Sequence, residues 1–163
     1  MENDTVNIVT AYYQSLIGTI EIKGSDDGIT SLYFLDKEKE SIEIPACLKE
    51  CIKQLDEYFK GKRKVFNLNL DIKGTDFQKK VWNELLKIPF GKTHAYIDIA
   101  KKLGDKNALR AVGNANGKNP ISIIIPCHRV IGSNGELVGY GGGLWRKKWL
   151  LEFENKDKQG ELF

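Results

Sequence analysis

The ten residues from Ile121 to Val130 read Ile-Ser-Ile-Ile-Ile-Pro-Cys-His-Arg-Val, and no other stretch constrains the chain as strongly. A short apolar run closed by proline reads as a buried strand. Such a strand delivers Cys127 and His128 to one rigid spot rather than to a loose loop. Thiolate is the nucleophilic form of cysteine, and a neighbouring imidazole or cation favours it. The dipeptide alone leaves two readings open. Adjacent strand residues point to opposite faces, so Cys127 can equally be a buried structural cysteine beside an incidental histidine.

Bulk properties exclude several classes. A chain of 163 residues has room for one good core or two small domains. No segment approaches 18 consecutive apolar residues, so no membrane span is expected. The first ten residues are acidic and polar with no signal-peptide core, which predicts a cytoplasmic protein. Three widely spaced cysteines argue against a disulfide framework and fit a reducing compartment. Residues 1–70 carry 9 Lys and Arg against 12 Asp and Glu, whereas residues 71–154 carry 14 against 8. A basic half of this kind points to a polyanion partner, although a solvated basic surface has the same composition.

The pattern along the chain predicts an α+β protein. Residues 12–22 alternate in places and lead through the Asp26-Asp27-Gly28 turn to 29–35, which reads as antiparallel strands. Pro45 opens a helix with Leu48, Cys51, Ile52, Leu55, Tyr58 and Phe59 on one stripe. Cys47 and Cys51 lie on it four apart and read as core rather than as metal ligands, since no His or further Cys is near. Residues 65–72 look like one more strand, and a small sheet-plus-helix domain is expected over 1–72. Thr75 and Gln78 fit a capping box before a helix that buries Phe77, Val81, Trp82, Leu85 and Leu86.

Two short helical stretches, 96–103 and 108–116, flank Gly104 in a helix-turn-helix pattern. Small residues at Ala108, Ala111, Gly113, Ala115 and Gly117 let the second helix approach another surface closely, and Arg110 projects from it. Residues 132–143 hold six glycines around Tyr140 and read as a mobile loop. A last helix over 144–154 presents a basic face of Arg146, Lys147 and Lys148, with a flexible tail over 155–163. His94 reads as a surface residue. The second domain thus spans 73–154 and is mainly helical.

In order and spacing, the series from Gly74 to Glu154 closely resembles the O6-alkylguanine-DNA alkyltransferases, the self-sacrificing DNA repair proteins. The matching features are Gly74-Thr75-x-Phe77-Gln78-x-x-Val81-Trp82, Tyr96, Arg110-Ala111-Val112-Gly113, Gly117-x-Asn119-Pro120 and Ile125-Pro126-Cys127-His128-Arg129-Val130. They continue through Gly139-Tyr140-x-Gly142-Gly143-Leu144 and Trp149-Leu150-Leu151 to Glu154. Residues 1–72 resemble the family's ribonuclease-H-like first domain more weakly.

The resemblance implies an irreversible transfer of the alkyl group from O6 of guanine in DNA to Cys127, once per molecule, with O4-alkylthymine as an open second substrate. It implies a proton relay from Cys127 through His128 and a water to Glu154. Tyr140 would donate to the base, the backbone at Cys127 and Val130 would read its edge, and Asn119 would tie the recognition helix to this site. The helix-turn-helix would enter the minor groove and the target base would be flipped out. Arg110 would fill the gap in the stack and Tyr96 would crowd the flipped phosphate, while Ala111 and Gly113 would press on the sugar–phosphate wall. No metal or organic cofactor is implied, and a monomer is expected.

Gly141 departs from the serine of many relatives, and Ala95 stands where a capping serine is common. No zinc ligand set is present in the first domain. Three other readings compete: a hydrolytic cysteine enzyme such as a peptidase, a non-enzymatic lesion binder, and a plain DNA-binding regulator. The first would turn over, need an oxyanion hole and ignore duplex DNA; the second typically lacks the acceptor cysteine, which is present here; the third does not account for Cys127, His128, Tyr140 and Glu154 arriving together.

Overall fold

In the strand β2 (Gly18–Ser25), buried Ile20 and Ile22 alternate with half-exposed Glu21 and Lys23, the period of a pleated strand with one face on a core. β2 is the centre of an antiparallel sheet, flanked by β1 (Val9–Ser15) and β3 (Gly28–Phe34). Gly28 makes the β2–β3 turn possible: its φ is +141°, and a Cβ there would meet the Asn69 carbonyl oxygen at 2.7 Å. A 3-10 turn, Ala46–Leu48, leads into α1 (Lys49–Phe59). Leu48 of the turn and the α1 stripe of Cys51, Leu55 and Tyr58 complete a core with Ala11, Ile20, Ile22 and Leu32. Burial pushes the Cys51 thiol up to about 12, the mark of an inert packing cysteine.

This computed structural model describes residues 7–160, with side chains described for 7–155. The chain divides into two units, Met1–Lys73 and Gly74–Phe163. In the first, residues 65–72 do not form the expected strand. They make one parallel bridge, Leu70 to Ile29, with Ile29 N–H donating to Asn69 O at 2.9 Å and Asp71 N–H to Ile29 O at 2.8 Å. No residue from 65 to 72 is buried, so their alternation has no core face on which to fix a ladder. The buried Gln54 holds the stretch instead. Its amide donates to Asn67 O at 3.1 Å and accepts from Asn67 N–H at 2.9 Å.

The second unit starts at a reciprocal capping box. Thr75 Oγ1 accepts from Gln78 N–H, and Gln78 Oε1 accepts from Thr75 N–H. The helix so begun, α2 (Asp76–Leu85), buries Val81, Trp82 and Leu85, while Leu86 lies beyond its end and is exposed. Trp82 Nε1–H donates to Ala115 O at 2.9 Å, which ties α2 to α4 (Leu109–Gly117). α3 (Tyr96–Lys102) and α4 form the helix-turn-helix, joined through Gly104 and a 3-10 turn at Lys106–Ala108. At the start of α3, Ala95 brings no capping oxygen, and Asp98 compensates by accepting from Ala95 N–H at 2.9 Å.

Three further expectations are corrected. The run 121–126 is not a strand but a tight buried turn, with Ile123 at φ +70°. An apolar β-branched run reads as a strand by composition, and only tertiary hydrogen bonds decide otherwise. His94 is half-buried rather than on the surface, in the short strand β4 (His94–Ala95) that pairs in parallel with β5 (Val130–Ile131). The last helix, α5 (Leu144–Gly160), runs six residues past Glu154. Residues 155–159 hold neither Pro nor Gly to stop a helix, so it continues through them. Residues 161–163 lie outside the described residues.

Candidate active site

Asn119 explains how the turn before Cys127 is held. Its amide donates to Ile125 O at 2.7 Å and accepts from Ile121 N–H at 2.9 Å, clamping both ends of the turn. With a hydrogen bond at each end, this buried side chain positions the turn. A β-branched residue at positive φ is strained by roughly 1–3 kcal/mol, and Ile123 persists there because burial and this clamp over-determine it. The turn feeds a 3-10 helix, Cys127–Arg129, packed on α2 and α5. At about three residues per turn, Cys127, His128 and Arg129 point in three directions.

His128 and Arg129 converge on one carboxylate. His128 Nε2 lies 2.8 Å from Glu154 Oε2, while Arg129 donates to both Glu154 oxygens at 2.8 and 2.9 Å. The third guanidinium nitrogen donates to Ile88 O at 2.7 Å. All three side chains are buried. Burial alone would raise the Glu154 carboxyl, but the facing His128 and the Arg129 charge outweigh it and hold the group well below the usual carboxylate range. Burial pushes the His128 ring down, against the pull of Glu154, so the resting ring is neutral. A carboxylate only accepts, which places the ring proton on Nε2 and leaves Nδ1 a bare acceptor. That Nδ1 is buried and has no hydrogen-bond partner among the described residues.

Cys127 is only 5% exposed, and burial raises its pKa against the opposing effects of Asn119 and Lys147. The resting group is therefore a thiol that needs a base. Lys147, expected on a basic surface, is fully buried. Its ammonium donates to Val138 O at 2.9 Å and sits 5.7 Å from the centre of the Tyr96 ring. Tyr96 Oη–H donates to the same carbonyl at 3.0 Å. Burial depresses Lys147 to about 8, with Cys127 acting in the opposite direction. The glycine-rich segment read as mobile is thus pinned at Val138, and two further turns close it, Gly132 N–H to Glu136 O at 2.8 Å and Gly143 N–H to Tyr140 O at 2.9 Å. The Tyr140 hydroxyl is buried, and burial raises its pKa well above the usual phenol value, an effect a Cys127 thiolate would reinforce.

A cleft of about 750 Å³ opens beside this cluster. Tyr96, Gly113, Asn116, Val138, Tyr140 and Gly141 line it. Cys127 is not in the lining, but its carbonyl accepts from the Asn116 amide at 3.4 Å. Arg110 and Ala111 lie on the exposed face of α4, outside the cleft. A Cβ at Gly113, Gly117 or Gly141 would meet nothing within 4 Å, so these positions are small for no reason of internal packing. Val130 is wholly buried in β5, where only its backbone can address a ligand. Among the described residues no group of three or more His, Cys, Asp or Glu could hold a metal ion, and no helix is long and apolar enough to cross a membrane.

Two family models cover nearly all of this architecture. The 6-O-methylguanine DNA methyltransferase DNA binding domain matches residues 76–156, and the ribonuclease-like domain of the same family matches residues 8–72. The chain belongs to the 6-O-methylguanine DNA methyltransferase family. A methylated-DNA–protein-cysteine methyltransferase of Methanosarcina acetivorans is 46% identical over 151 residues, covering 88% of this chain and 96% of its own. The crystal structure of Mycobacterium tuberculosis O6-methylguanine methyltransferase matches with a TM-score of 0.84 at 43% identity, covering 92% of this chain and 94% of that one. The Mycobacterium tuberculosis OGT in complex with DNA matches with a TM-score of 0.83 at 44% identity, over 90% of this chain and 92% of that one.

Within this family member, sequence reasoning missed Arg129, Lys147 and Asn116. Arg129 stood inside the quoted motif without a role, and its position next to the Cys-His pair was the one available signal. Nothing local marks Lys147, which shares a basic triplet with the exposed Lys148.

Proposed function

We propose that this protein repairs O6-alkylguanine in double-stranded DNA by moving the alkyl group irreversibly onto Cys127, once per molecule. The observation that carries this reading is a buried thiol placed beside a neutral histidine whose Nε2–H is committed to Glu154 and whose Nδ1 is open. His128 Nδ1 takes the Cys127 proton, through a bridging water. Glu154, oriented by Arg129, holds the imidazolium so formed, and the buried Lys147 ammonium favours the thiolate. Sulfur then attacks the alkyl carbon in line. The S–C bond forms, the C–O6 bond breaks, and its electron pair leaves on guanine. Tyr140, protonated and buried, supplies a proton to the departing base and recovers one from the imidazolium, so the thiol proton ends on guanine. The product thioether has no leaving group for water to displace, which makes the transfer final.

A carbon inside the stack is out of reach, so the nucleotide turns out into the cleft. Access is from the minor groove. The exposed face of α4, small at Ala111, Gly113 and Gly117, lies against the sugar–phosphate wall while Arg110 enters the stack. Tyr96, fixed by its bond to Val138 O, stands at the cleft wall where the flipped phosphate passes. The protein acts as a monomer in the cytoplasm, without metal or cofactor. Cys127→Ser tests the assignment: the variant keeps its affinity for a lesion duplex and transfers nothing. Residual stoichiometric transfer by that variant would remove Cys127 as the acceptor.

A further inference from the structure

Gly141, Gly142 and Gly143 follow Tyr140 in a row, and so flexible a run does not by itself fix the direction of a side chain beside it. Arg146 does. Gly143 N–H closes a turn on Tyr140 O at 2.9 Å, and Arg146 Nη1 donates to Gly142 O, in the middle of that turn, at 2.9 Å. The Arg146 backbone N–H donates to Gly143 O at 3.1 Å. Arg146 belongs to the first turn of α5, where the helix dipole disfavours a cation, and it is 8% exposed instead of lying on a basic surface. Trp145 shields it from water: the guanidinium carbon lies 4.5 Å from the centre of the Trp145 ring, and Trp145 itself is 57% exposed. A cation so shielded acts on its neighbours more strongly than one in water. Its charge favours ionisation of the Tyr140 hydroxyl, as does Ser122, against the larger effect of burial.

We propose that Arg146 is a positioning residue for the proton transfer: it holds the turn that carries Tyr140 and stabilises the phenolate left when Tyr140 gives its proton to the departing guanine. This rests on the reading of Tyr140 as the donor to the base. As the C–O6 bond breaks, the Tyr140 O–H bond breaks too. Its proton goes to the guanine anion, and the negative charge stays on the phenol oxygen until the His128 imidazolium returns a proton. Burial makes that charge costly and Glu154 adds to the cost; the Arg146 cation offsets it. The exposed Trp145 has a place in the same arrangement, since it keeps water off the guanidinium. Arg146 therefore matters where the leaving group needs a proton, and not where it leaves without one.

The test follows single-turnover methylation of Cys127, by intact mass and peptide mapping, from an O6-methylguanine duplex, from free O6-methylguanine and from methyl iodide, whose leaving group needs no proton. Arg146→Met, which keeps the apolar stem over Trp145, should slow transfer from both guanine donors roughly ten- to hundredfold, the range of one to two pKa units. Its reaction with methyl iodide should be unchanged. Arg146→Lys, which keeps the charge, should recover most of the loss. In a Tyr140→Phe background Arg146→Met should cost nothing further, because the hydroxyl it acts on is gone. Equal slowing with methyl iodide would mark a general disturbance of the site and overturn the proposal. A loss confined to the duplex would make Arg146 a DNA contact, and an undiminished loss in the Tyr140→Phe background would mean that it does not act through the hydroxyl; either overturns it. Tyr140→Phe that takes methyl from guanine at the native rate overturns it whether or not the Arg146 variants fold. These outcomes leave alkyl transfer standing, whereas absence of methyl on native Cys127 from the duplex removes the function and this inference together.

Discussion

Replacing Arg129 by methionine should reverse the sign of the pH dependence of stability of the second unit. Methionine keeps much of the apolar stem and removes three charge-assisted hydrogen bonds, two to Glu154 and one to Ile88 O. Leaving one buried ion without its partner costs about 3–5 kcal/mol. Glu154 then faces only His128, and the buried pair bears an uncompensated negative charge. It relieves this by taking up one proton, shared between carboxylate and ring. In the native protein the folded ring resists protonation, so acid below about pH 6.5 protonates the unfolded chain first and stability falls as pH drops. In Arg129→Met the folded pair holds a proton that the unfolded chain has released. Its stability is full below about pH 6.5 and is lost as pH rises through the raised pKa of the pair. Each slope approaches about 1.4 kcal/mol per pH unit, the value for one proton. All three tryptophans, Trp82, Trp145 and Trp149, lie in this unit, so urea unfolding by fluorescence at pH 5.5 to 8 reads it directly. Alkyl transfer at neutral pH should fall by roughly a hundredfold, because the proton already on the pair blocks the base. A variant whose stability still rises with pH as the native protein's does would refute this account of the network.

Other perturbations separate the parts. Lys147→Met removes the cation near Cys127, so the pH profile of Cys127 alkylation by iodoacetamide should move to higher pH; an unmoved profile removes Lys147 from the electrostatics of the thiol. Gly113→Ala fits open space on a helix and should stabilise the fold by about 0.5–1 kcal/mol while weakening duplex binding; unchanged binding would mean that this face of α4 does not meet DNA. Arg110→Ala should slow repair in duplex DNA more than reaction with the free base, and equal losses on both would count against insertion into the stack.

What could be read from the sequence was local. Thr75 and Gln78 announced a helix start because a capping box lies wholly within four residues. The α1 stripe was legible because one face of a helix shows in its own period. The strand expected at 121–126 failed because apolar, β-branched composition does not distinguish a strand from a buried turn, and the clamp that decides it belongs to Asn119. Residues 65–72 failed for a related reason: their alternation faces no core. Within the site, Cys127, His128 and Glu154 were identified through resemblance, since 25 intervening residues separate His128 from its carboxylate. Arg129, Lys147 and Asn116 stayed hidden because burial of a charge or an amide is a property of the packed unit and leaves no mark on spacing.

The most direct measurement is intact mass of the native protein after incubation with an O6-methylguanine duplex, followed by peptide mapping. A gain of one methyl group, saturating at one per molecule and located on Cys127, is the predicted result. An unchanged mass, or a methyl group on Cys47 or Cys51 instead, would contradict it.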